Sequence, residues 1–228
     1  MAQGAPVWIT RARPGAEATA ARVVALGFTP ILDPLLEVAP LDVAIDLSGV
    51  AALAFTSANG AQAFARLTQE RDLPVFTVGH ATARAATEAG FARVSSADGD
   101  VEDLARLIAG AVTGPVLWAG AREPAGDLVA LLRERGVEAQ GVAVYETLDR
   151  APSDQTLARL NAPLTALVHS PRAARRLAAI LRERPAPALR VLCLSEAVAA
   201  PLRALNEPGP VACAPRPDES SLLALLTA

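Results

Sequence analysis

Pro6-Val7-Trp8-Ile9-Thr10-Arg11-Ala12-Arg13-Pro14-Gly15 opens as an apolar run, turns polar and basic, and leads into an Ala/Arg-rich stretch that reaches Leu26 before Gly27. An apolar run, a small turn and an amphipathic stretch ended by glycine spell strand then helix, because glycine tolerates the left-handed backbone that closes helices. The phrase recurs 109 positions later, where Pro115, Val116, Ala121, Arg122, Gly136 and Glu146 stand in for Pro6, Val7, Ala12, Arg13, Gly27 and Glu37. Residues 28–36 read as a second strand, interrupted by Pro30 and Pro34. Proline cannot donate to a sheet ladder, so this strand belongs at an edge or leaves its sheet, with Pro40 following.

Two more blocks repeat in the same order. Leu53-Ala54-Phe55-Thr56-Ser57, with a helix from Asn59, matches Ala166-Leu167-Val168-His169-Ser170, with a helix from Arg172. Val75-Phe76-Thr77-Val78-Gly79 matches Val191-Leu192-Cys193-Leu194-Ser195, and Val94-Ser95-Ser96 matches Val211-Ala212-Cys213. Any one match could reflect shared α/β composition, but ordered recurrence of all of them points to an internal duplication. The expected fold is therefore α/β, with two similar domains that each carry a mainly parallel sheet flanked by helices.

Composition narrows the chemistry. The 228 residues are 52% apolar and 4% aromatic, and the net charge of −3 with no basic run argues against nucleic-acid or membrane partners. No lysine occurs, so Schiff-base chemistry, a P-loop phosphate clamp and a kinase-type lysine are excluded. The start has no secretion-signal pattern and no apolar segment is long enough to span a bilayer, so a cytoplasmic protein is expected. Cys193 and Cys213 lack the paired spacing of a zinc or redox motif and read as reduced core residues. Catalytic fingerprints such as G-x-S-x-G, G-x-G-x-x-G and H-E-x-x-H are missing. The only histidines, His80 and His169, each follow a strand. Asp98, Asp100, Glu102 and Asp103 read as a loop and a helix start, not a metal site.

In parallel sheets, ligands gather beyond the carboxyl ends of the strands, where helix N-termini present free N–H groups. Six turns fall there: Thr10-Arg11-Ala12-Arg13, Thr56-Ser57-Ala58-Asn59, Gly79-His80-Ala81-Thr82, Gly120-Ala121-Arg122, Ser170-Pro171-Arg172 and Ser195-Glu196-Ala197. Small, hydroxylated and basic, they suit a ligand bearing several carboxylates, with Arg11, Arg13, Arg122 and Arg172 as bidentate candidates. For each residue taken singly, a helix cap worth about 1 kcal/mol or a solvated arginine is the simpler reading.

The set Ile9-Thr10-Arg11 with Pro14, Phe55-Thr56-Ser57-Ala58-Asn59, Val78-Gly79-His80-Ala81-Thr82-Ala83, Val144-Tyr145-Glu146-Thr147, His169-Ser170-Pro171 and Cys193-Leu194-Ser195-Glu196 resembles the uroporphyrinogen-III synthase family. The resemblance covers residues 7–226. It implies a HemD-like pair of flavodoxin-like domains joined by a two-stranded linker, and a cofactor-free, metal-free monomer acting on hydroxymethylbilane, with a transient encounter with hydroxymethylbilane synthase. The implied reaction loses water, inverts the last pyrrole ring through a spiro intermediate and closes the macrocycle.

By the same resemblance Tyr145, the only tyrosine, is the catalytic candidate, near the leaving hydroxyl, and strand packing is the alternative. Ser57, Thr82, Ser170 and Ser195 become carboxylate contacts beside Thr10, Arg11, Arg13, Asn59, Gly79, Gly120, Arg122 and Arg172. Where the first copy has Thr82 the second has Val198 and so lacks that hydroxyl. The implied domains are exchanged relative to the repeats: 1–36 with 150–228, and 38–148, with linkers near 37–41 and 147–152 and the site between them. The competing reading is a non-catalytic two-domain sensor for an anionic small molecule. A sugar- or nucleotide-binding enzyme is a third.

Overall fold

The computed structural model describes residues 5–205 and 209–227. Residues 1–4, 206–208 and 228, which fall in the expected discontinuous domain, lie outside them. In chain order the elements are β1 (Val7–Ile9), α1 (Gly15–Ala25), β2 (Pro30–Leu32), β3 (Leu36–Pro40), β4 (Ala52–Phe55), α2 (Ala58–Leu67), β5 (Val75–Thr77), α3 (His80–Glu88), β6 (Val94–Ser96) and α4 (Val101–Ala111). They continue as β7 (Val116–Ala121), α5 (Leu128–Glu134), β8 (Ala139–Asp149), α6 (Asp154–Arg159), β9 (Leu164–Val168), α7 (Pro171–Glu183), β10 (Leu189–Cys193), α8 (Glu196–Arg203), β11 (Val211–Cys213) and α9 (Glu219–Ala224).

The chain forms two compact units, Met1–Glu37 with Leu148–Ala228, and Val38–Thr147. The first holds a sheet of order β11-β10-β9-β1-β2, parallel throughout. The second sheet has the order β3-β8-β7-β4-β5-β6 and is parallel from β8 to β6. Since β7, β8, β4, β5 and β6 carry the sequences that correspond to β1, β2, β9, β10 and β11, both units have one strand order. Each takes its opening strand pair from one copy of the repeat and the remainder from the other.

Central strands such as Leu164-Thr165-Ala166-Leu167-Val168 are buried at every position, as expected of parallel strands covered by helices on both faces. In α7 the buried Ala173, Ala174, Leu177 and Ala178 share one stripe while its arginines lie on the rest of the surface. Gly27 and Gly136 end equivalent helices with φ of +83° and +77°, a conformation that side chains resist. In the second unit Phe55, Phe64 and Phe91 form an aromatic cluster with ring centroids 5.6–6.2 Å apart, roofed by the Arg71 guanidinium 4.9 Å from the Phe91 ring. Full burial of each ring stabilises the unit by about 2–3 kcal/mol.

The acidic run is a helix start. Asp100 caps α4, accepting from Glu102 N and Asp103 N, while the Asp103 carboxylate accepts from Asp100 N. Asp100→Ala should cost about 1 kcal/mol, read as a lower urea midpoint at unchanged slope.

The single strand expected over 28–36 is instead two. β2 stays beside β1, whereas β3 joins the second sheet, with Asp33, Pro34 and Leu35 between them. Pro34 breaks the ladder and the break is anchored: Trp8 Nε1 donates to Asp33 O at 2.7 Å, Leu35 N donates to Thr10 O, and the Asp33 carboxylate accepts from Ser153 N and Oγ. Both proline-bearing strands are edges of their sheets. The connections expected as linkers are largely strand, because residues 37–40 lie in β3 and 147–149 in β8, its sheet neighbour. Cys193 is buried and Cys213 partly so; they face each other in register on β10 and β11 as free thiols. Burial pushes the Cys193 thiol up to about 12, which keeps it inert.

Candidate functional site in the second unit

In the second sheet the chain runs outward from β7 to β8 and, in the other direction, from β4 to β5 and β6, so the strand order reverses between β7 and β4. Helices leaving on opposite faces open a crevice at such a point. A cavity of about 410 Å³ lies there. Thr56 and Ser57 line it from the end of β4, Val78 from the end of β5, Val101 from α4, Ala121, Glu123, Pro124, Ala125 and Gly126 from the end of β7 and the following loop, and Tyr145 and Thr147 from β8.

Ser57 and Tyr145 meet in this cavity, with Oγ and Oη 2.8 Å apart. Ser57 is also the N-cap of α2, its Oγ accepting from Gly60 N at 3.1 Å. Gly60 is required there because a Cβ would stand 2.7 Å from the Ala119 carbonyl oxygen, so α2 starts directly against β7. Thr56 is held by Trp118, whose Nε1 donates to Thr56 Oγ1 at 3.1 Å. Tyr145 is 7% exposed. The first unit retains the cap, since Ser170 Oγ accepts from Ala173 N, but Leu36 stands where the second unit has the tyrosine. Capping therefore accounts for both serines, and the hydroxyl pair belongs to the second unit alone.

Several expected contacts are corrected. Thr10 is fully buried and donates to Leu167 O at 2.7 Å, so its hydroxyl is spent inside the first unit. Gly120 makes room for Trp118, whose ring would lie 2.0 Å from a Cβ at that position. Thr82 is 5% exposed on the inner face of α3, whose N-cap is Gly79. Asn59 sits in the first turn of α2 and Ser195 caps α8 without a side-chain bond, both partly exposed.

Each candidate arginine already holds a carboxylate of the chain. Arg13 pairs with Glu17 one helical turn on, Arg122 with Glu146 at 2.6 Å, and Arg172 with Asp149 at 3.0 Å. Such exposed pairs contribute 0–1 kcal/mol, roughly, so exchanging partners with an incoming carboxylate costs little. Arg11 differs: with Thr19 Oγ1 at 2.7 Å and His169 Nε2 at 3.0 Å, its guanidinium at 3.1 Å converges on Glu219 at the equivalent position of the first unit. Burial would raise the Glu219 carboxyl, but those hydrogen bonds and the facing charges of His169 and Arg11 prevail and bring it down to about 2. His80, by contrast, is a surface side chain bridging to Asp98 at 3.2 Å.

Among the cavity residues, Thr56 stood in a rim turn and Val78 and Thr147 in quoted motifs without being singled out as contacts, while Val101 and Glu123 were missed. Glu123-Pro124-Ala125-Gly126 did carry a signal, a Pro/Gly turn holding an acid straight after a strand. Thr19 and Glu219 carried none, being 200 positions apart.

These features define a class: a duplicated, doubly wound α/β protein whose second unit opens a hydroxyl-lined small-molecule cavity at its topological switch point. A family model described as uroporphyrinogen-III synthase HemD matches residues 17–224. The chain belongs to that family, and is thus an enzyme of tetrapyrrole (heme) biosynthesis; the family acts on hydroxymethylbilane. Its fold is similar to that of a uroporphyrinogen-III synthetase from Helicobacter pylori 26695, at 16% identity over 98% of each chain and a TM-score of 0.70. It is also similar to a mutant uroporphyrinogen III synthase from the extremely thermophilic bacterium Thermus thermophilus, at 21% identity over 97% of each chain and a TM-score of 0.52. A comparison with curated proteins finds no match.

Proposed function

We propose that this chain converts hydroxymethylbilane to uroporphyrinogen III, releasing water as a hydro-lyase and inverting the last ring. The observation that carries the reading, beside family membership, is the Tyr145–Ser57 hydroxyl pair at 2.8 Å on the wall of the switch-point cavity. One lone pair of Ser57 Oγ is taken by the Gly60 N–H, and of the two directions open to the hydroxyl pair we take the one in which Ser57 donates to Tyr145 Oη. The phenol proton then points to the cavity, where it is passed to the departing hydroxyl.

The remaining catalytic task is geometric, because a flexible chain of four rings must be held so that ring closure follows inversion. A cavity of 410 Å³ suits one substituted end of such a chain. Arg13, Arg122 and Arg172, each already paired with a carboxylate of its own unit, are the proposed carboxylate contacts, as are the helix-capping Ser57, Ser170 and Ser195. No helix among the described residues is long and apolar enough to cross a membrane. We read the enzyme as a cytoplasmic monomer that meets hydroxymethylbilane synthase transiently.

Purified protein incubated with hydroxymethylbilane, followed by oxidation and separation of the porphyrin isomers, should yield the type III isomer above the spontaneous type I background. Type I alone overturns the reading, and tight binding with no turnover would mark a sensor instead.

A further inference from the structure

The chain has two tryptophans, and their indole N–H groups are satisfied differently. Trp8 donates to a backbone carbonyl, Asp33 O, inside the first unit, whereas Trp118 donates to a side chain of the cavity wall, Thr56 Oγ1 at 3.1 Å. An indole N–H can only donate, so Thr56 Oγ1 is the acceptor and keeps its own proton to give. Among the described residues no acceptor takes that proton. The cavity lies beside it.

The second sheet is built around this bond. Ala54 on β4 is in register with Trp118 on β7, and Thr56 stands two residues beyond Ala54. The indole is laid over two glycines: Gly120, two residues on in its own strand, where a Cβ would strike the ring, and Gly141, its in-register neighbour on β8, where a Cβ would stand 3.0 Å from it. Trp118 is 9% exposed and packs in the cluster of Ala54, Phe76 and Leu104, so the ring is fixed. The repeat shows that these residues go together. At the equivalent positions the first unit has Ile9, Arg11 and Leu32, with Ile9 and Leu32 again in register, and His169 in place of Thr56. Isoleucine and leucine satisfy packing there, whereas the second unit combines a larger ring, two glycines and a hydroxyl, and obtains from them one aimed hydrogen bond.

We propose that Trp118 is a positioning residue: it holds Thr56 as a donor directed into the cavity, and Thr56 gives its hydrogen bond to a carboxylate oxygen on a side arm of the terminal ring. This rests on the synthase reading above. The leaving oxygen is a poor choice of acceptor, because it gains a proton as it departs and its lone pairs are withdrawn. A side-arm carboxylate keeps its charge from binding to ring closure, so a bond to it is as strong in the ground state as in the transition state. Such a bond holds the ring and sets KM without changing kcat. Tyr145 and Thr56 thus divide the work, one supplying the proton for the departing hydroxyl and the other the hold on the ring that carries it.

The test is a double-mutant cycle read in kcat, KM and thermal midpoint with hydroxymethylbilane, using wild type, Thr56→Val, Trp118→Phe and the double variant, with Thr56→Ser as the conservative control. Thr56→Val should raise KM about tenfold with kcat within about twofold, since one hydrogen bond to a charged group is lost from both states. Thr56→Ser, which keeps the hydroxyl, should stay within about twofold of wild type in both constants. Trp118→Phe, which leaves no indole N–H to satisfy, should raise KM about threefold in the wild-type background and not at all beside Thr56→Val, because Trp118 acts through the hydroxyl. A residue that only packs would shift the thermal midpoint in both backgrounds and leave KM alone. Unchanged KM in Trp118→Phe, an equal rise in KM in both backgrounds, or a loss confined to kcat in Thr56→Val overturns the proposal, while an active wild type leaves the synthase reading intact. A wild type that makes no type III isomer overturns both.

Discussion

Replacing Tyr145 by phenylalanine should lower kcat by about 100-fold with KM changed less than about twofold, since a positioned general acid is worth 10²- to 10⁴-fold, roughly. The ring is 7% exposed and its hydroxyl bonds Ser57 Oγ, so removing one oxygen leaves the packing of Val144, Phe55 and Phe64 around β8 in place. Ser57 keeps its bond from Gly60 N, and α2 stays capped. The melting temperature should therefore fall by no more than a few degrees. Steady-state kinetics on the type III isomer beside a thermal melt checks both halves. A kcat within threefold of wild type would make Tyr145 a packing residue like its counterpart Leu36.

Glu219→Ala should destabilise the first unit by about 3 kcal/mol, close to the value of moving its carboxyl from 4.5 to about 2 on folding. The glutamate side chain is 21% exposed, and the alanine leaves Arg11, Thr19 and His169 without their common acceptor. At neutral pH the midpoint of thermal unfolding should drop by about 5–10 °C. The sign with pH follows from a folded-state carboxyl held below its free value. The contribution is complete above about 4.5 and is lost as pH falls towards 2, so wild type and variant should converge in that window. Equal urea midpoints at pH 7 would remove the network from the stability of the unit. A gap that keeps its full neutral-pH size at pH 3 would assign it to packing instead of charge.

The two predictions concern equivalent positions of the two sheets that have become unlike. Both lie where the strand order reverses, beyond β7 and β4 in one unit and β1 and β9 in the other. In the first, Glu219 supplies the carboxylate that satisfies the local donors. In the second, a cavity is left with a phenol and an acid on its walls.

Elements whose signal is local were legible in the sequence. Gly27 and Gly136 mark helix ends because the backbone there is left-handed, and Ser57, Ser170 and Asp100 mark helix starts because their oxygens accept the N–H groups that follow. The duplication was legible too, since equal local order leaves equal patterns. The segment 28–36 was misread because nothing near it says that Leu36 pairs in a different sheet from Leu32. The candidate arginines were recognised as rim cations, but their partners were not: Glu219 stands 208 positions from Arg11, and Glu146 stands 24 from Arg122.

The sequence by itself determined the α/β alternation, the two copies, the absence of lysine chemistry and the rim position of the turns, because periodicity, capping and composition act over a few residues. Only the tertiary structure decided which copy's strands share a sheet, that Tyr145 meets Ser57, and that Thr10 and Gly120 serve packing. Those outcomes depend on contacts between segments far apart in the chain. Their free energies come from pairing and burial that no short window of sequence contains.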